Sequence, residues 1–479
     1  MRWMKRLVCC AVALLMAASG ALAETRLLPQ LDAWALEQHP LEISLAADVA
    51  AHMPFDEARA GQLNALLKHV TLLMNHQRLQ EESWSRVALA VDGAEAVHLS
   101  LRETAAETQL QLSSQPDRTY HAAAGQDAVA LLLGESTAVS FAGLDGTELA
   151  WLTDAYDLLN GLDVALEGYG TEKAVKTSIT NMGTARKRIT YTIPADDAAK
   201  LTELLPGLCV EGELQRLLQG LTYSGKQQFV VYQAESGEIL KGTYEGKCGV
   251  DAEHLRKVSV SWSLKRGDED TRDTFTLKSP AVQGSDRNSV TFKRVEKAKA
   301  DGTVTLDASF KHESVQSKVK ETLTAEAELT AAPKDGGTLL TGSVSVKLTP
   351  AEEDDKRQLI LSPELTFAGA EESPSIQGTL TVEMRAGANL KRVTEKASLS
   401  IDLHRGEYFD WELRENTVDL MALSESQLAT VRQAATEDVA RNLIRPLVLL
   451  PYEDTLFLSA DLDEASWQKI VDAARSALE

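Results

Sequence analysis

The chain has 479 residues, 71 acidic and 49 basic side chains, a formal net charge of −22 and an ordinary hydrophobic content of 44%. So acidic a surface repels nucleic-acid phosphates and anionic lipid headgroups, which excludes both as main partners. The length suits one very large domain or two to three of usual size.

The opening residues predict export. Arg2, Lys5 and Arg6 precede an apolar run from Leu7 to about Met16, and small residues follow as far as Ala21-Leu22-Ala23. This is the order of a secretory signal peptide, with cleavage near Ala23. The apolar run falls short of the roughly 20 residues that a spanning helix needs. Cys9 and Cys10 stand at the start of that run, without the small residues expected just before a lipidated cysteine. The expectation is therefore a secreted or periplasmic soluble chain with no transmembrane anchor. Loss of the leader's three basic residues takes the charge from −22 to −25.

Beyond the leader, 24–170 reads as a strand–helix–hairpin module with a following helix. Leu41, Ile43 and Leu45 alternate, Met53-Pro54-Phe55-Asp56-Glu57-Ala58 follows, and Leu63, Leu66 and Leu67 have helical spacing. Asp56 is placed to cap that helix, with Glu57 favouring its positive end. Val87, Leu89 and Val91, then Asp92-Gly93, then Val97, Leu99 and Leu101 form a hairpin pattern. Leu149, Leu152, Tyr156, Leu159 and Leu162, with Trp151 beside them, give a further helical stripe.

A second module opens the span 171–420. Arg188 to Tyr191 reads as a strand, Ile193-Pro194-Ala195-Asp196-Asp197-Ala198 repeats the cap pattern, and Leu201, Leu204 and Leu205 follow. Phe229 to Tyr232, Ser236-Gly237 and Ile239 to Tyr244 make its hairpin. From about Lys257 the hydrophobic period is two. Val258, Val260, Trp262 and Leu264 begin it, and Val304, Leu306, Ala308 and Phe310 repeat it. Leu323 to Leu329, Val344 to Leu348, Leu380 to Met384, Leu399 to Leu403 and Phe409 to Leu413 continue it. Alternation of this kind buries one face of an antiparallel strand and wets the other. Turn-formers separate the runs, Asp301-Gly302 among them, read as a two-residue turn with both positions at positive φ.

The remaining span, 421–479, reads as a C-terminal helix plus a strand–helix segment packing back on the sheet. Ser424-Glu425-Ser426-Gln427 is a capping box, and Leu428, Val431, Ala435, Val439 and Leu443 lead to Pro446. A strand from Leu458 would meet a helix start at Asp463-Glu464-Ala465. Together these elements predict an α+β fold. A long-stranded, curved antiparallel meander would carry helices over one face, and the strand–helix–hairpin module would be duplicated.

Helices over a curved antiparallel sheet behind an export leader resemble the half-barrel of LolA-type bacterial lipoprotein carriers and related mycobacterial lipid-binding lipoproteins. The likeness spans most of the mature chain but is architectural, with no diagnostic motif, and this chain is longer and has no lipobox. It implies acyl chains held against the apolar face, which Val260, Trp262, Leu306, Phe310, Val346, Val382, Ile401 and Trp411 would line. The same residues equally suit a core packed beneath its own helices. Fold likeness confers no function by itself.

Chemistry-bearing patterns are few. There is no G-x-S-x-G elbow, H-E-x-x-H helix, P-loop or G-x-G-x-x-G turn. His69 and His76 are the histidine pair to test, but Val70, Leu72 and Met74 alternate, and on a strand such a pair points to opposite faces. Asp268, Asp270 and Asp273 could hold calcium through oxygen ligands, although they lack an EF-hand's glycine and terminal glutamate, and Glu352, Glu353, Asp354 and Asp355 form another acidic turn that could do so. Cys209 and Cys248, the two cysteines outside the leader, could form one disulfide. No catalytic, cofactor-binding or metal residue is assigned, and no cofactor is expected. The expectation is a non-catalytic secreted or envelope protein binding a lipid or other apolar ligand in a sheet concavity. An extracellular structural or protein-interaction module, partnered by an envelope protein, is the second reading, and a hydrolase the third.

Overall fold

The computed structural model describes residues 40–476 except 51–55, 80–81, 124–127, 134–157, 159–160, 163, 209–214, 216–217, 250, 254, 268–269, 280–286, 317–318, 351–355, 371–372, 408–410 and 460–461. The export leader, Cys209, Asp268, the acidic turn 352–355 and most of the stripe at 149–162 lie outside the described residues.

The first six strands are β1 (Leu41–Val49), β2 (Val70–Leu79), β3 (Glu82–Val91), β4 (Ala94–Glu103), β5 (Glu107–Leu112) and β6 (Arg118–Ala123). Next come β7 (Gly170–Ile179), β8 (Gly183–Ile193), β9 (Thr222–Gln233), β10 (Ile239–Gly249), β11 (Arg256–Arg266) and β12 (Asp270–Ser279). The longest follow: β13 (Arg287–Ala298), β14 (Val304–Gln316), β15 (Val319–Lys334), β16 (Gly337–Thr349), β17 (Arg357–Ala368), β18 (Ser375–Ala386) and β19 (Arg392–Arg405), before a short β20 (Asn416–Asp419). All belong to one 20-stranded sheet.

From β7 to β19 each strand pairs antiparallel with the next in sequence. The chain's first strand then joins its late ones: β1 lies between β19 and β2, antiparallel to both, with Leu45 opposite Ile401 on one side and Leu72 on the other. Antiparallel pairing continues from β2 to β6, and β20 adds to β6 in parallel. The expected α+β fold is thereby corrected. One sheet gathers both ends of the chain, and helices cover only parts of it. Sequence alternation has no term for the long-range pairing of β1 with β19.

Hairpin chemistry sets most of the local geometry. Asp92-Gly93 and Asp335-Gly336 each hold both residues at positive φ (49° and 81°, 41° and 83°), the backbone of a two-residue hairpin turn. At Asp301-Gly302 only the glycine does so, at 82°. Lys299 N–H donates to Thr303 O (2.8 Å), and Asp301 Oδ1 accepts from Thr303 N–H (2.9 Å), so the turn is one residue longer than expected. Gly342 and Gly378, at φ 132° and 146°, stand where a β-carbon would lie 2.0 Å from the carbonyl oxygens of Glu328 and Glu364. Only glycine permits that approach between neighbouring strands.

Five helices matter for what covers the sheet. Helix α1 (Glu57–Leu67) opens at Asp56, whose Oδ1 accepts from Arg59 N–H at 2.8 Å. Helix α2 (Ala128–Leu133) and α3 (Glu425–Asp438) pack over β5 and β6, and Ser424 and Gln427 form the capping box of α3. Helix α4 (Tyr452–Ser459) contains Leu458, so the strand expected there is helical. Helix α5 (Glu464–Ser476) is capped by Asp463, which accepts from Ser466 N–H at 2.7 Å. The second cap pattern behaves differently: a 3-10 turn runs over Ala195–Lys200, with Pro194 at its cap and no side-chain cap bond.

Two large cores lie on the sheet's apolar face. One joins Ile43, Leu45 and Met74 to Leu306, Leu329, Leu361, Val382, Leu399 and Ile401, with Leu63 and Leu67 of α1 packed among them. The other sets Leu201 and Leu205 against Tyr191, Phe229, Tyr244 and Val260.

Candidate functional site: an open stretch of the apolar face

Between those cores the apolar face continues. Antiparallel register places Trp262 opposite Phe275, Phe275 opposite Phe292, Phe292 opposite Phe310, Phe310 opposite Ala325, and Ala325 opposite Val346. This row crosses six strands, β11 to β16. A parallel row two residues along contains Leu277, Val290, His312, Leu323 and Leu348. Residues directly opposite each other lie about 4.5–5.5 Å apart at Cβ, so each row is a continuous surface. The Trp262 and Phe275 rings meet at 5.7 Å between centroids, tilted by 56°.

The two ends of the first row differ from its middle. Trp262, Phe275 and Leu277 pack against the second core. Val290, Phe292, Phe310, Leu323, Ala325 and Val346 are half-buried and belong to none of the described cores, and Leu348 is 45% exposed. The charged neighbours Lys293, Lys311, Glu326 and Lys347 alternate with them and therefore face the other way. The result is an aliphatic and aromatic patch, interrupted by His312, on an acidic protein.

A buried ionic pair marks its border. Asp273 and Arg294 face each other across β12 and β13, with Arg294 Nε donating to Asp273 Oδ2 at 2.8 Å. Their side chains are 1% and 10% exposed, and Glu296 beside them is 3% exposed. All three share the apolar face with Phe275 and Phe292, Asp273 and Arg294 one row along and Glu296 two rows along, opposite Leu306.

The structure scatters the residues expected to line a cavity. Val382 (1%), Ile401 (3%) and Leu306 (6%) lie in the first core, and Val260 (9%) in the second. Trp262 packs against that second core, whereas Phe310 and Val346 belong to the open patch. Trp411 is half-buried and, like Leu413, outside any strand, so the strand expected there is corrected, while Phe409 lies outside the described residues. Phe275, Val290 and Phe292 escaped sequence reading, because Asp273, Arg294 and Glu296 interrupt the alternation of β12 and β13.

The expected polar sites also come apart. Asp270 pairs with Lys265 (2.5 Å) and Arg272 (2.9 Å) on one face of β12, while Asp273 points to the other and is held by Arg294. His69 precedes β2 and contacts Asp92 and Asp454, whereas His76 lies within β2 with Nδ1 at 2.9 Å from Ser85 Oγ. Burial, with Arg78 adding to it, pushes the His76 pKa down. No group of three metal-ligating side chains occurs among the described residues. Cys248 is buried and free, and burial raises its thiol pKa.

The opposite, polar face carries an open cleft of about 510 Å³ lined by Glu42, Asn75, Arg86, His404, Arg405 and Glu407. Glu42, His404 and Arg86 in its lining already have polar partners. Glu42 accepts from Asn75 Nδ2 (3.4 Å) and lies 3.7 Å from His404 Nε2, and Arg86 Nη2 donates to both oxygens of Glu95 at 2.7 and 2.9 Å.

No protein-family model matches the chain, and no curated protein does. Solved structures do match. An outer-membrane OmpT of Vibrio cholerae is 8% identical at a TM-score of 0.26, over 77% of this chain and 96% of that one. An anion-selective porin from Comamonas acidovorans is 9% identical at 0.27, over 76% and 98%. Scores this low supply no argument for a closed barrel or a channel. The matched proteins are described as porins and outer-membrane proteins, not as soluble secreted or periplasmic carriers. The expected carrier concavity is corrected by the core itself. The face read as a ligand concavity is filled along β17–β19 and β1 by Leu63, Leu67 and the strands' own side chains.

Proposed function

We propose that the chain is a cell-envelope protein that works seated on a membrane, with the open patch of β13 to β16 resting against lipid. The observation that carries this reading is the uncharged row Phe292, Phe310, Ala325 and Val346, flanked by Val290, Leu323 and Leu348, outside every described core. Contiguous apolar surface of this kind marks contact with a membrane or a partner protein. The aliphatic and aromatic centre of the patch suits contact with hydrocarbon. The leader-like opening supports placement in the envelope. Acidity directs the contact to neutral lipid, since anionic headgroups would be repelled.

The test is flotation of the chain from residue 24 onward with phosphatidylcholine vesicles. The wild type should rise with the vesicles, and Phe310→Asp and Val346→Asp should stay behind with unchanged far-ultraviolet circular dichroism. A wild-type protein that stays at the bottom of the gradient would overturn the proposal.

A further inference from the structure

A second observation is independent of the patch. The corner between α1 and β2 meets α4 from the far end of the chain through a chain of charged groups. His69 Nδ1 lies 2.6 Å from Asp92 Oδ1, and His69 Nε2 lies 3.2 Å from Asp454 Oδ2. Lys68 Nζ also donates to Asp454. The His69 side chain is 16% exposed and that of Asp454 10%. Both ring nitrogens thus face carboxylates, an arrangement that a neutral imidazole, with one N–H, cannot fully satisfy.

We infer that Asp92–His69–Asp454 is a proton-dependent latch that pins α4 over the edge of the first core. What it would release is visible in the packing. Phe457 of α4 packs against that core and against the neighbouring cluster around Leu66 and Val91, and the Arg59 guanidinium of α1 stacks on its ring at 4.4 Å. The charged groups contacting the imidazole are Asp92 from the β3–β4 turn and Asp454 from α4, with Lys68 of the α1–β2 corner bridged to Asp454. The hydrogen bond to Asp92, aided by Asp454 and opposed by burial, raises the His69 pKa. A group whose pKa folding raises stabilises fully below its unfolded value, near 6.5, and loses that contribution as pH climbs through the folded value. The latch is therefore closed in mild acid and released on the alkaline side.

Hydrogen exchange of amides 452–459, corrected for intrinsic rate and measured without lipid, reads the latch directly. Protection in the wild type should fall as pH passes the imidazole pKa, by up to about tenfold for each unit by which folding raises it. His69→Gln should be weakly protected at every pH, and Asp92→Asn should move the midpoint down. Nuclear magnetic resonance titration of His69 in the unaltered protein should give a pKa above 6.5. A pH-independent wild-type profile, or an imidazole titrating at or below the free value, would overturn the inference. Neither result depends on membrane association.

Discussion

Two stretches of the same sheet face, built from the same alternating pattern, end differently. Along β17–β19, β1 and β2, the side chains Val382, Leu399, Ile401, Leu45 and Met74 are buried in one core that includes Leu63 and Leu67 of α1. Along β13–β16, Phe292, Phe310, Ala325 and Val346 stay half-open. The difference lies in the connections. The chain leaves β1 through a helix that carries Leu63 and Leu67 back over the face, whereas β13 joins β14, and β15 joins β16, by short turns that carry no apolar cover. Alternation thus says which face is apolar, and connection length says whether the chain can cover it.

Placing a charge on each stretch separates them most strongly. Val382→Asp should unfold the protein, because an unpaired buried carboxylate costs several kcal/mol. Val346→Asp should leave the thermal midpoint nearly unchanged in scanning calorimetry. The border comes next. Arg294→Ala removes the guanidinium that holds buried Asp273 and should cost about 3–5 kcal/mol in urea unfolding, whereas replacing both by well-packed apolar residues should cost far less.

Truncations sharpen the contrast further. Leu399→Ala in the sealed core should cost about 2–5 kcal/mol. Phe310→Ala on the open stretch should cost clearly less, since Phe310 is only half-buried. Smallest is the cap that holds the cover in place. Asp56→Ala should remove about 1 kcal/mol and raise exchange in the first turn of α1, with no effect on β13–β16.

How much of this could be read from the residues follows the same physics. Alternation located β11, β14, β15, β16, β18 and β19, and the Asp-Gly pair at 92–93 located its turn. Asp56 and the Ser424–Gln427 box located two helix starts. The pattern missed β12 and β13 because Asp273, Arg294 and Glu296 occupy apolar-face positions, where a charged residue reads as solvated turn. Leu458 was misread because the apolar run before Asp463 is short enough to suit a strand or a helix. The open patch stayed hidden because its border is set by pairings between distant strands and by where helices return. Neither is a local property of sequence.

The membrane reading is tested most directly by adjacent positions on one strand that face opposite ways. A photo-crosslinking phenylalanine derivative placed at Phe310 or at Lys311, in protein bound to phosphatidylcholine vesicles, samples the two faces of β14 in turn. The account predicts lipid adducts from position 310 and none from 311. Equal labelling from both positions, or labelling from 311 alone, would contradict it.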